Sequence, residues 1–211
     1  MSPTKGEQTR ATILDAALAI ASKLGLEGLT IGTLAEATGM SKSGLFAHFG
    51  SREDLQIAVL EHAAQRYGEK VFMPALKIDR GVPRLRALFE KWLDWSVASG
   101  LPGGCIMISA AAEYDDRPGP IRNAVIAYQH RGNAITEKAV RLAIEEGHLR
   151  PDTDPEQIAF ETLGIILANH NHRRLLGDKE ARRRALTAFE ELVTRHAAAP
   201  ARRLRALKSA R

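Results

Sequence analysis

No proline falls between Thr4 and Met73, between Ile121 and Arg150, or between Glu156 and Ala199. Proline lacks a backbone donor and clashes with the preceding helical turn, so stretches this long without one are free to be helical. The nine prolines gather instead at apparent junctions: Pro74, Pro83, Pro102, Pro118, Pro120, Pro151, Pro155 and Pro200, besides Pro3. Between them the apolar residues favour helix, with 33 Ala and 24 Leu against 7 Val. No segment shows the sustained alternation of a half-buried strand. The expectation is an all-α chain of about nine helices.

Capping residues and glycines divide the first proline-free stretch. Residues 8–24 carry Leu14, Ala17, Leu18, Ala21 and Leu24 on one helical face, and Gly25 suits the position just past its end. Thr30 can cap a short helix containing Ile31, Leu34 and Ala35. Gly39 then permits a tight turn, and Ser41 caps a third helix, Lys42 to His48, that buries Leu45 and Phe49. Ser51 with Asp54 opens a longer helix reaching about Phe72, with Leu55, Val59, Leu60, Ala63 and Tyr67 turned inward. Later helices are expected over 83–99, from Gly104 to about Asp116, over 120–146, over 154–176 and over 178–196, where Asp178 caps the last. Residues 198–211 have no apolar partner face and read as a mobile, basic tail.

Charge alone does not point to nucleic acid. Of 211 residues, 30 are Lys or Arg and 25 Asp or Glu, and the excess of five sits in Arg202, Arg203, Arg205, Lys208 and Arg211. Without that tail the chain is neutral, and residues 1–50 balance at four charges of each sign. A DNA-binding reading must rest on the placement of particular side chains. One cysteine, Cys105, excludes an internal disulfide and a four-cysteine zinc site. No apolar run reaches the roughly 20 residues of a membrane span, and the first residues lack the apolar stretch of a signal peptide, so a cytoplasmic protein is expected.

Two short helices joined through Ala37-Thr38-Gly39-Met40 make a helix-turn-helix pattern whose second helix can enter a DNA major groove. Its first turn, Ser41-Lys42-Ser43-Gly44, is small and polar, and its backbone N–H groups suit phosphate oxygens. From about Thr9 to Leu55 the chain resembles the TetR family of bacterial transcriptional repressors. The matching elements are Ile13-Leu-Asp-Ala-Ala, Gly28-Leu-Thr-Ile, Leu34-Ala, Gly39-Met-Ser-Lys-Ser-Gly-Leu-Phe-Ala-His-Phe and Ser51-Arg-Glu-Asp-Leu. The resemblance implies a three-helix DNA-binding head over residues 1–50 and a helical effector-binding and dimerising region over 51–197. It further implies a homodimer on a palindromic double-stranded operator, released when a small-molecule effector changes the spacing of the two heads. By position, Ser41, Lys42, Ser43 and Gly44 then lie at the groove and Ala47 near base edges, with Thr30 and His48 on phosphates. Arg52 occupies the place of a phosphate-binding lysine, and Phe46 replaces a tyrosine, leaving it a packing or ring contact. Lys42 can bond guanine or a phosphate, while Thr30 and Ser41 serve as caps in either case.

The later helices carry two further expectations. Trp92, Trp95, Cys105, Met107, Ile108, Tyr128 and Phe160 are candidates to line an effector cavity, with Glu113 or His170 as polar anchors, although such residues are equally core material. Phe160, Leu163, Ile166 and Leu167 on one helix, with Ala185, Leu186, Phe189, Leu192 and Val193 on the next, can build an intersubunit four-helix bundle or an intrachain core. His170-Asn171-His172 sets two imidazoles on opposite sides of a helix, which disfavours a shared metal. No cofactor motif, phosphate loop or nucleophile elbow occurs, so no enzymatic activity is expected. The alternative is a ligand-independent DNA-binding protein, or an activator with the same head.

Overall fold

The computed structural model describes residues 4–98 and 100–199, so the basic residues of the expected tail lie outside the described residues. Ten α-helical segments follow one another: α1 Lys5–Gly28, α2 Ile31–Thr38, α3 Lys42–Phe49, α4 Arg52–Tyr67, α5 Met73–Ala75, α6 Val82–Ala98, α7 Ile106–Tyr114, α8 Pro120–Glu145, α9 Pro155–Arg174 and α10 Ala181–His196. A π-helical turn, Gly68–Phe72, joins α4 to α5, so the three form one continuous run and nine helices stand among the described residues. The only β-pairing among the described residues is an isolated bridge between Leu149 and Ala197. None of the described helices is long and apolar enough to cross a membrane.

Local chemistry accounts for most boundaries. Thr4 and Glu7 form a reciprocal capping box, which starts α1 at Lys5, three residues ahead of the sequence expectation. Ser41 Oγ accepts the Gly44 N–H at 3.1 Å and begins α3, and Ser51 Oγ accepts the Asp54 N–H at 3.0 Å and begins α4. Gly39 ends α2 in the left-handed conformation, φ 68°, which a side chain would strain. Asp178 does accept the Glu180 N–H at 2.8 Å, but its carboxylate is also held by His172 and Arg184. The regular turns of α10 begin at Ala181.

Two apolar clusters hold the helices. The first joins α1–α4 through Leu18, Leu29, Leu34, Leu45, Leu55 and Val59 and continues into Trp95, Ile106, Tyr114 and Val125. The head therefore shares a core with α7 and α8. The second unites α6, α8, α9 and α10 around Phe89 and Phe189, whose rings stack 4.0 Å apart at 6°. Trp92 and Ile108 touch both clusters.

Candidate nucleic-acid interface and internal cavity

The outer face of α3 begins with Ser41, Lys42 and Ser43, all exposed, and continues through exposed Phe46 and Ala47. Leu45 and Phe49 point the other way into the core, so α3 is anchored on one side and open on the other. Gly44 and His48 are half-buried beside that face. Arg10 of α1, which no motif singles out, lies with its guanidinium 5.1 Å from the Phe49 ring and adds a cation beside the same helix. Thr30 sits in a capping box with Thr33 at the start of α2, its Oγ1 accepting the Thr33 N–H at 3.0 Å.

Arg52 is engaged inside the head. Its Nε donates to the Leu29 carbonyl at 3.1 Å, and its Nη2 donates to the Glu27 carbonyl at 2.5 Å and the Glu27 carboxylate at 2.9 Å. The guanidinium thus ties the start of α4 to the turn between α1 and α2, with Nη1 left for other partners.

Glu27 is the centre of a wider junction. Tyr114 of α7 donates its hydroxyl to Glu27 Oε1 at 2.6 Å, and Arg117 stands 3.8 Å away. The Tyr114 hydrogen bond, with help from Arg52, holds the Glu27 carboxyl below its ordinary range. Burial, and then the bond to that carboxylate, push the Tyr114 phenol up. Glu113, expected as a cavity anchor, instead accepts the Leu26 and Glu27 N–H groups, each at 2.8 Å. These are amide donors released where α1 breaks at Gly25, φ 78° and ψ 168°. A Cβ at Gly25 would lie 2.9 Å from both Glu113 carboxylate oxygens, so the turn and the carboxylate are fitted to each other. At its other end the loop before α7 meets the same helix, Gly103 N–H donating to Ser22 Oγ at 3.1 Å.

A cavity of about 420 Å³ opens between α4 with its π-helical turn and α8. Trp92, Cys105, Met107 and Tyr128 line it, together with Tyr67, Phe72 and Ile135, while Glu61, Gln65, Gln129, Arg131 and Asn133 add polar groups. Its size is that of a small-molecule site. Burial pushes the Cys105 thiol above its ordinary range, so it contributes a neutral surface. Burial also raises the phenols of Tyr67 and Tyr128, the latter with help from the Glu61 charge.

Four other candidates are turned elsewhere. Trp95 packs edge-on against Tyr67, ring centroids 5.9 Å apart, within the core. Ile108 bridges the two apolar clusters. His170 lies beside Gly104, half-buried, with its pKa lowered by burial and by the Arg174 charge. Phe160 is 72% exposed on the outside of α9 and contributes nothing to the cavity. Of the residues read as either a dimer bundle or an intrachain core, Ile166, Ala185, Phe189, Leu192 and Val193 are buried within the protomer. Leu163 and Leu186 are half-buried, and Leu167 is exposed like Phe160.

Known proteins resemble this chain in sequence over parts of its length and in fold. A family model described as bacterial regulatory proteins, tetR family, matches residues 13–59, and one described as tetracyclin repressor-like, C-terminal domain, matches residues 81–189. The HTH-type transcriptional repressor AcnR of Corynebacterium glutamicum is 39% identical over 67 residues, 32% of this chain. The chain thus spans only 36% of the length of that curated relative. A TetR transcriptional regulator from Chloroflexus aurantiacus matches with TM-score 0.85 at 24% identity, over 93% of this chain and 99% of that one. AibR, solved in complex with isovaleryl coenzyme A and operator DNA, matches with TM-score 0.68 at 24% identity, over 89% and 97%. At such identities the likeness to the solved structures is one of fold.

Proposed function

The chain belongs to the TetR family of bacterial regulatory proteins, and on that premise we propose that it is a cytoplasmic DNA-binding transcriptional regulator. In this reading it is a homodimeric repressor, not an enzyme, and it leaves a pseudo-palindromic operator when a small molecule fills the cavity. The observation that carries the DNA-binding reading is the face of α3: a capped N-terminus followed by exposed Lys42 and Ser43, with Leu45 and Phe49 anchoring the opposite side. An α-helix held this way fits the roughly 12 Å major groove, and its first-turn N–H groups and lysine meet phosphates or base edges. Arg52 acts chiefly by positioning the α1–α2 turn, and its free Nη1 can still reach a phosphate.

Effector control is supported by how α7 is placed. Cys105 and Met107 at its start line the cavity, and Glu113 and Tyr114 at its end hold the α1–α2 turn. A ligand that moves α7 therefore acts on the head, provided it binds the two head positions with different affinity. AibR carries both kinds of ligand in one solved complex.

The test is selection of bound sequences from random duplexes by the full-length protein, followed by a small-molecule screen on the selected complex. Enrichment of an inverted repeat and release by a compound are the expected results. Failure to enrich any duplex at low salt overturns DNA binding. Compounds that raise the melting temperature without changing DNA affinity overturn effector release and leave a constitutive binder.

A further inference from the structure

Behind the large cavity lies a second void of about 20 Å³, room for roughly one water-sized group. Tyr67, Phe72, Trp92, Gly132 and Ile135 wall both spaces. The void's far side is formed by Leu85, Leu88, Phe89 and two threonines, with no charged residue in its lining. Thr136 Oγ1 already donates to the Gly132 carbonyl at 3.3 Å. Thr162 of α9 differs: the residue is 3% exposed, and its Oγ1 is buried with no hydrogen-bond partner. A buried hydroxyl with neither its donor nor its acceptor capacity used is uncommon and costs stability until a partner arrives.

We propose that this void is the inner end of the effector site and that Thr162 selects effectors bearing a neutral hydroxyl or carbonyl on an apolar body. The apolar body fits the Trp92, Phe72, Met107 and Ile135 surfaces of the larger cavity. The terminal oxygen enters the small void and takes the Thr162 hydroxyl as its partner. An ionised terminus is disfavoured there, because no cation lines the void to offset its loss of hydration. Polar groups elsewhere on the effector meet Gln65, Gln129 or Arg131 in the larger cavity. The inference rests on the effector reading above and gives it a ligand class.

The experiment compares three probes of one shape, cyclohexylmethanol, methylcyclohexane and cyclohexanecarboxylate, on the full-length protein and on Thr162→Val and Thr162→Ser. Binding is followed by tryptophan emission, since Trp92 walls both spaces, and by calorimetry. Thr162→Val is nearly isosteric but removes the hydroxyl. It is expected to weaken the alcohol about tenfold relative to the hydrocarbon, whereas Thr162→Ser keeps the wild-type ratio. The carboxylate is expected to bind the wild type at least about tenfold more weakly than the alcohol. An equal change for alcohol and hydrocarbon in Thr162→Val, a carboxylate that matches the alcohol, or no binding by any probe overturns the proposal. The same probes added to protein on its selected duplex separate this from the effector reading. A Thr162-dependent alcohol that leaves DNA bound supports the inner site and removes effector release. Compounds that release DNA with no dependence on Thr162 do the reverse.

Discussion

Lys42 stands exposed beside the Ser41 cap, the one strong cation in the α3 sequence, so its removal isolates the electrostatics of the reading face. Lys42→Ala is expected to weaken the selected duplex by about 1–3 kcal/mol per head, with helix content and dimer mass unchanged. The salt dependence identifies its partner. A slope reduced by about one per head marks a phosphate contact, and an unchanged slope with relaxed preference at one base pair marks a base contact. Glu113 is tested differently, because it accepts two backbone N–H groups at the broken end of α1. Glu113→Ala leaves both donors without that partner and should cost about 1–3 kcal/mol in urea unfolding. If α7 passes the effector signal through this carboxylate, the variant also loses release by effector while keeping operator affinity. Ordinary stability with normal release would show that Glu113 is a surface group.

Helix boundaries set by local chemistry were readable in advance, since Thr30, Ser41, Ser51 and Asp154 cap the helices that follow them through bonds spanning two or three residues. Contacts across distant sequence were not. Nothing in the identity of Arg52 reveals that it bonds the Glu27 and Leu29 carbonyls, and nothing in Glu113 reveals that it faces Gly25. Likewise Trp92, Cys105, Met107 and Tyr128 reach the cavity while Phe160 and His170 do not, because the packing of α6–α9, not residue type, decides which face of a helix is enclosed. The π-helical turn that carries Gly68 and Phe72 into the cavity wall has no sequence marker. The junction of α1, α4 and α7 at Glu27 also makes a pH prediction. Its folded-state pKa lies below the ordinary 4.5, so its stabilising effect is complete above about that pH and fades as pH falls through the lowered value. Calorimetric melting between about pH 3 and 6 should therefore fall more steeply for the native chain than for Glu27→Gln. Parallel curves would remove Glu27 from the acid response.

The proposed dimer is best placed on the outside of α9, where large apolar side chains are left uncovered. Phe160 is 72% exposed and Leu167 42%, seven residues apart and so on one helical stripe, and Leu175 and Leu176 continue the exposure at 75% and 61%. Large apolar side chains arrayed along one face carry a cost in water that a second copy removes, and a two-fold interface places the same stripe on both sides. Phe189 belongs to a different class, 1% exposed and stacked on Phe89 inside the protomer. A substitution at each position therefore has a different expected outcome. Phe160→Glu with Leu167→Glu should give a folded protein of half the native mass in light scattering, with melting lowered only by the loss of mutual stabilisation. Its grip on an inverted repeat should collapse toward that of a single head on a half-site, because linkage of the two heads supplies the rest. Phe189→Ala should instead cost about 3–5 kcal/mol of folding stability, since it empties the centre of the second core. A Phe160/Leu167 double variant that remains a dimer would move the interface off this stripe, and the operator measurement on the same sample would show whether the two heads still act together.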